Sequence, residues 1–372
     1  MPRVIDSTPD IQELAQALLL EQVVALDTES DSMYHYREKV CLIQLSSPGT
    51  GTVIVDPLGK GDPRVLGSVM ESPAVTKILH GSDFDITSLK RDYAWTFRNL
   101  FDTALAARFL GWKSFGLAAV ALSELGVQIE KGEQTSDWSI RPLPERMLAY
   151  AAGDVDYLVR IREGLSARLA GLGRLEWVLE ESEAGADIHA ASALPAPADF
   201  LKVGVARDLS PRGLAVLREL FTAREAACLE LDRPRFKLVS DDALSRLADA
   251  APDSVEAFRN LPWLPQNIRR HPDRWVHAIN AGLASPPVTV SKPPRNWKYD
   301  PAVGAAVDRL RAWRDRASTE LGLEPGVLLP NRLISAIAST APGSVEKLRE
   351  VEGIRRWRCD NFGHELVAAA SA

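Results

Sequence analysis

VVALDTES, residues 23–30, decides the fold of this chain. Val23, Val24, Ala25 and Leu26 form a short apolar run rich in β-branched residues, which predicts a buried strand. Side chains alternate along a strand, so Asp27 and Glu29 point the same way. Two carboxylates side by side at the end of an apolar strand repel one another. A bound cation removes that cost and turns the pair into ligands. An isolated Asp-x-Glu reads equally as surface acids of a strand-end turn, so the pair acquires meaning only from what lies downstream.

Downstream, LAYAAGDVDYL at 148–158 lies in a stretch from Pro144 to Arg162 of helical composition with no proline after Pro144. Tyr150 and Asp154 are four apart and share one helix face. Asp156 lies two further on, points elsewhere and is the weaker candidate. Tyr150 alone would read as a packed core aromatic. Between these pairs, AVTKIL at 74–79 predicts a strand, His80-Gly81-Ser82 a loop, and a helix follows through Leu89 and Lys90. Asp85 then falls on the first helical turns near a strand end. Asp83 competes with it, or caps the helix, as Asp does well there. His80 is either a ligand or base, or a structural histidine.

This set suits one chemistry. Hydrolysing a phosphodiester needs a water made nucleophilic near neutral pH and relief of charge on the leaving oxygen. Two divalent cations roughly 3.5–4 Å apart supply both. Hard cations such as Mg2+ or Mn2+ prefer oxygen ligands, which fits carboxylates without thiolates.

The same segments resemble the DEDD superfamily of 3′-5′ exonucleases in its tyrosine-bearing branch. LDTES, CLIQLSS at 41–47, HGSDFDITSLKRDY at 80–93, FDTALAARFLG at 101–111, EQTSDWSIRPL at 133–143 and YAAGDVDYL at 150–158 all look like bacterial ribonuclease D, in that family's order and spacing. The resemblance covers residues from about 1 to 190. It implies Asp27, Glu29, Asp85 and Asp154 as ligands of two divalent metal ions (Mg2+ or Mn2+), with Tyr150 positioning the water. It also implies release of nucleoside 5′-monophosphates from a free 3′ end. Trp138, in the family-like SDW, either meets substrate or packs in the core.

Strands are expected near 23–27, 41–46, 52–56 and 75–80, and helices near 84–92, 102–110, 115–124 and 145–171. MPRVIDSTPDIQELAQALLL at the start reads as a strand then a capped helix, and not as a signal peptide, since Asp6, Asp10 and Glu13 interrupt it. Helices packed on a sheet make an α/β domain; the resemblance makes it ribonuclease H-like. Residues 174–190 are acidic and helical in pattern and finish this domain.

The C-terminal half repeats itself. Residues 251–259 (APDSVEAFR) recur as 341–349 (APGSVEKLR), an offset of 90. LSRLADA at 244–250 matches ISAIAST at 334–340 in the same register, Arg224 pairs with Arg314, and Glu230 with Glu320. This predicts a duplicated helical module. Residues 211–283 resemble the HRDC domain; the copy at 303–371 is assigned through the repeat. The resemblance implies an auxiliary nucleic-acid-binding or positioning role. The expected fold class is thus multidomain: an α/β ribonuclease H-like exonuclease domain at 1–195, then two all-α helical-bundle HRDC-like domains at 205–284 and 302–372. ALPAPADF at 193–200 marks one boundary, and the five-proline linker SPPVTVSKPPRNWKYDP at 285–301 another.

A chain of 372 residues exceeds what a single core usually holds. The net charge of -6 argues against a generic basic nucleic-acid binder. The halves differ: residues 1–195 hold 18 Lys/Arg against 28 Asp/Glu, and residues 196–372 hold 26 against 22. The second half interleaves basic and aromatic residues at Arg233-Pro234-Arg235-Phe236-Lys237, Arg295-Asn296-Trp297-Lys298-Tyr299 and Arg355-Arg356-Trp357-Arg358. Such stretches either meet phosphates and bases or are solvated helix faces. Cys41, Cys228 and Cys359 lack zinc spacing, and no apolar run approaches the roughly 20 residues of a membrane span. The expectation is a monomeric, cytoplasmic 3′-5′ exoribonuclease acting on RNA 3′ ends such as those of tRNA precursors. Two rivals stand beside it: a DNA 3′-5′ exonuclease, and an RNA-binding factor with a vestigial nuclease.

Overall fold

The computed structural model describes residues 2–129, 132–190, 195–204, 206–290 and 301–371. Most of the proline-rich linker, all of Arg295–Tyr299 and the start of the 193–200 boundary lie outside the described residues. By packing the chain forms two units. The first comprises Met1–Glu29, Val40–Ala191 and Asn296–Ala372, the second Ser30–Lys39 and Ser192–Arg295.

In the first unit six strands form one sheet in the order β1-β4-β3-β2-β5-β6. They are β1 (Arg3–Ile5), β2 (Val23–Ser30), β3 (Val40–Ser47), β4 (Gly51–Val55), β5 (Thr76–Leu79) and β6 (Leu100–Asp102). The sheet is mixed: β3 and β4 are antiparallel, while β1–β4, β2–β5 and β5–β6 are parallel. Alternation along β2 sorts its apolar residues between two layers. Val24 and Leu26 join one core with Ile11, Leu14, Leu18, Ile43 and Ile86. Ala25 joins the other, with Ile78, Phe101, Val155 and Ile161.

In the β2–β5 register Val24 faces Lys77 and Ala25 faces Ile78. Continued by two positions, that register carries Asp27 past Leu79, the last residue of β5. The acids therefore stand at the carboxyl ends of parallel strands, where open α/β sheets hold their ligands.

Two expectations need correction. The single helix at 145–171 is two, Glu145–Asp156 and Leu158–Gly171, parted at Tyr157. Strand β6, of three residues, was not foreseen; it ends on Asp102, which caps the helix Thr103–Phe109 by accepting from Ala104 and Leu105 N–H.

The repeat is structural. Pro211–Leu231 and Pro301–Leu321 begin and end 90 positions apart, as do Arg235–Leu238 and Pro325–Leu328, and Asp241–Ala250 and Asn331–Thr340. Ser254 and Ser344 each cap the next short helix. Ala251 and Ala341 both take the left-handed conformation, φ 38° and 43°. Arg224 donates to the Val239 carbonyl at 3.2 Å and to Asp241 at 2.6 Å; Arg314 donates to Leu329 at 3.4 Å and to Asn331 at 2.8 Å. One guanidinium thus closes the same turn in both copies, buried at Arg224 and partly buried at Arg314.

The second copy packs with the sheet-bearing part inside the first unit. Trp357 stacks on Trp177 with ring centroids 4.5 Å apart, and Phe109 meets Trp357 edge-on at 5.6 Å. Arg174 is 8% exposed and donates to two helix-end carbonyls, Phe109 at 2.9 Å and Leu321 at 2.7 Å. Gly111 (φ +81°) permits this approach, since a Cβ there would stand 2.3 Å from the Gly322 carbonyl. Glu180 accepts from Arg356 and Trp357 N–H at 2.6 and 2.9 Å and so caps the helix Arg356–Ser371.

Candidate active site

Asp27 and Glu29 on β2 and Asp154 on the Glu145–Asp156 helix come together: one oxygen of each lies within 4.8 Å of the others. Asp85 stands beside this trio. It is on the first turn of the helix Asp83–Tyr93 and buried, and its Oδ1 accepts from the Thr28 hydroxyl at 2.5 Å. Thr28 sits between the two acids of β2, so a neutral residue that sequence reasoning passed over ties the third acid to that strand. The loop ahead of Asp85 is held by a second unforeseen residue. The Asp102 carboxylate accepts from Gly81 N–H at 3.0 Å, Ser82 N–H at 2.8 Å and the Ser82 hydroxyl at 3.0 Å.

The electrostatics follow from crowding. Burial, and then the charges of Asp85, Asp154 and Glu29, push the Asp27 carboxyl well above the usual range. Burial, Asp154 and Asp85 push Glu29 up to about 9. Burial raises Asp85 to about 6. Burial also raises Asp154 to about 7, against a hydrogen bond from Tyr150 that lowers it. Burial and then the acids Asp154, Glu29 and Asp27 push the Tyr150 hydroxyl up, so it keeps its proton and donates. Hard oxygen donors that repel one another this strongly fit a divalent cation, which would offset both the desolvation and the repulsion.

A pH dependence follows. The folded, metal-free protein holds protons that the unfolded chain releases at the ordinary carboxylate values of 3.8 and 4.5. Stability contributed by these groups is therefore present at low pH and declines as pH rises from about 4 toward 9. Thermal melts with chelator should fall across that window, and added Mg2+ or Mn2+ should raise the melting temperature more at pH 8 than at pH 5.5. An equal increment at both would contradict the assignment.

The other candidates are placed as follows. Asp83 is in the first helical turn, and Ser82 rather than Asp83 is at the cap position. Asp156 is exposed and accepts from Thr52 on β4, away from the trio. His80 Nδ1 is 2.8 Å from the Thr103 hydroxyl, and burial holds its imidazole below the usual value, as suits a structural tether. Trp138 is fully buried among Cys41, Leu42, Ile54 and Met147 and backs Tyr150 at 6.1 Å, so it packs in the core. Beside Tyr150 a cleft of about 400 Å3 runs past Gly153 to Tyr157.

Among the described residues, one basic stretch is largely engaged in internal contacts. In Arg355–Arg358, Trp357 and Arg358 are each 3% exposed. Arg358 pairs with Glu181 and donates to the Leu328 and Val327 carbonyls at 2.8 and 3.1 Å. Trp357 and Arg358 are thereby committed to packing, while Arg356 is exposed.

A family model described as "3'-5' exonuclease" matches residues 2–170, and the HRDC domain model matches 213–279 and 304–369. The chain belongs to the ribonuclease D family. It is 32% identical over 371 residues to ribonuclease D of Gluconacetobacter diazotrophicus, covering 99% of this chain and 92% of that one. With ribonuclease D of Acidiphilium cryptum it is 34% identical over 262 residues, 70% of this chain and 66% of the relative. The crystal structure of Escherichia coli RNase D, described as an exoribonuclease involved in structured RNA processing, matches with a TM-score of 0.74 at 25% identity, covering 99% of this chain and 98% of that chain. Membership makes this chain a hydrolase of the 3′-5′ exoribonuclease class, whose fold is metal-dependent.

Proposed function

We propose that this chain removes nucleotides one at a time from the 3′ ends of structured RNA, such as tRNA precursors, by two-metal-ion hydrolysis that releases nucleoside 5′-monophosphates. The observation that carries the proposal is the convergence of Asp27, Glu29 and Asp154 within 4.8 Å, with Asp85 fixed alongside by Thr28. These four carboxylates would hold two divalent ions, Mg2+ or Mn2+, which activate water and offset charge on the leaving oxygen when bound. The protein's own part is positional. Asp27 and Glu29 are held on β2, which lies inside the sheet between β3 and β5. Tyr150, backed by buried Trp138, keeps its proton and holds the attacking water by a hydrogen bond. The adjoining cleft, lined by Tyr150 and Arg146, has the size of a small-ligand site. The structured-RNA reading is supported by the likeness to the Escherichia coli enzyme so described. We take the protein to act as a cytoplasmic monomer; among the described residues no helix is long and apolar enough to cross a membrane.

The test is digestion of an RNA hairpin with a single-stranded 3′ tail, labelled at either end, with Mg2+ or Mn2+ and with chelator. Immediate mononucleotide release from the 3′ label, a descending ladder from the 5′ label and silence in chelator are expected. Tyr150→Phe should be slower by about 10²-fold while its melting temperature still rises with metal. Binding without cleavage in either metal would favour an RNA-binding factor. An otherwise identical tail ending in a 2′-deoxy residue separates RNA from DNA preference.

A further inference from the structure

Residues 30–39 begin immediately after Glu29, yet they pack with the helices of 192–295 as part of the second unit. The loop is closed at its neck. Fully buried Asp31 accepts from Lys39 N–H at 2.8 Å, and its carbonyl accepts from Tyr34 and His35 N–H at 2.8 and 3.0 Å. Each residue at the tip is gripped by the first helical module. Lys237 Nζ lies 4.0 Å above the Tyr34 ring. Asp232 bonds His35 Nδ1 at 2.6 Å and accepts from Tyr36 N–H at 3.1 Å. The Tyr36 hydroxyl donates to Glu225 at 2.7 Å, and Arg235 donates to both oxygens of Glu225 at 2.8 and 2.9 Å. Arg235 and Lys237, from the basic stretch 233–237, are thus engaged in holding this loop.

Both ends of the loop run into elements that carry the candidate ligands. One end is β2, with Asp27 and Glu29. The other is Val40, whose N–H donates at 2.8 Å to Asp92 on the same helix as Asp85. Asp232 keeps its grip from a left-handed conformation, φ 47°, at the end of the helix Pro211–Leu231. A non-glycine residue adopts that conformation at some cost, so the contacts it makes hold it there.

We propose that Tyr34, His35 and Tyr36, with Glu225, Asp232 and Arg235, are positioning residues for the hydrolytic site, acting on Glu29 through the loop. The first helical module then serves the chemistry. The inference rests on the exoribonuclease reading above.

The test uses the full chain with Tyr36→Phe, Asp232→Asn and Glu225→Gln, assayed on a dinucleotide and on the tailed hairpin at varied Mg2+. Supporting partners of metal ligands are typically worth 10–100-fold. The expected result is a fall of about 10-fold in kcat on the dinucleotide, a higher Mg2+ concentration for half-maximal rate, and little change in KM. Tyr36→Phe removes one hydroxyl and leaves the ring, so it answers even if Asp232→Asn unfolds the module. Unchanged kcat and Mg2+ dependence on the dinucleotide, with only the melting temperature or hairpin KM altered, would overturn the inference. A wild-type protein that cleaves neither substrate would overturn the functional reading instead.

Discussion

Asp27→Asn is expected to stop hydrolysis while making the metal-free protein more stable. Loss of a ligand should cost on the order of 10³-fold or more in rate, beyond the effect of a residue that merely supports one. The same substitution removes a buried acid that burial and three neighbouring carboxylates drive well above its ordinary protonation range. Without it the remaining acids are relieved of one like charge. At pH 8 in chelator the variant should melt a few degrees higher, about 1 kcal/mol for a domain of this size. Metal should then raise its melting temperature less than it raises that of the wild type. Asp154→Asn should behave alike. Asp156→Asn is the matched control on the same helix, exposed and bonded to Thr52, and should digest within about twofold of wild type. Digestion by Asp27→Asn at the wild-type rate would show that the site is wrongly placed.

Trp357→Ala is expected to destabilise the sheet-bearing unit as a whole. The ring is 3% exposed, stacks on Trp177 and meets Phe109 and Phe362 edge-on. Truncating such a tryptophan typically costs about 3–5 kcal/mol. Much of the usual stability margin of 5–15 kcal/mol would be lost. Because Phe109 and Trp177 share one core with Phe101 and Val155, melting should remain a single transition at a lower temperature. Deleting 296–372 should be more severe, since it also leaves Arg174 without the Leu321 carbonyl and Glu181 without Arg358. A truncated protein with an unchanged melting temperature would mean that the second module is an independent arm.

Spacing paired the residues of the candidate site two by two, while the choice of Asp85 over Asp83 and the ligand roles came from the family resemblance. Period two on β2 pairs Asp27 with Glu29, and period near four on a helix pairs Tyr150 with Asp154. The 90-residue register was legible because the cap at Ser254 and Ser344 and the arginine at 224 and 314 recur along with the apolar positions. What escaped had no local signature. Thr28 and Asp102 act through partners 57 and 20 or 21 positions away, and β6 is too short to show a period. The parting of the helix at Tyr157 is marked by no proline, and we have no physical account of it. Arg355–Arg358 stood open between a nucleic-acid contact and a solvated helix face because a basic and aromatic composition is shared by exposed patches and by buried tryptophans ringed with paired arginines. Only Glu180 and Glu181, remote in sequence, decide between them.

The shared core of Trp177 and Trp357 has a consequence for synthesis of the chain on the ribosome. Domains ordinarily fold as they emerge, N-terminal part first. Here one wall of the catalytic unit is made 180 positions after Trp177, a delay of roughly 9–36 s at 5–20 residues per second. Until Trp357 and Leu366 arrive, the apolar surface around Phe109 and Trp177 is uncovered. Such uncovered apolar surface makes the nascent chain prone to aggregate. A chain broken off before the second helical module would leave the ribosome as an aggregation-prone product rather than a loose, unguided ribonuclease.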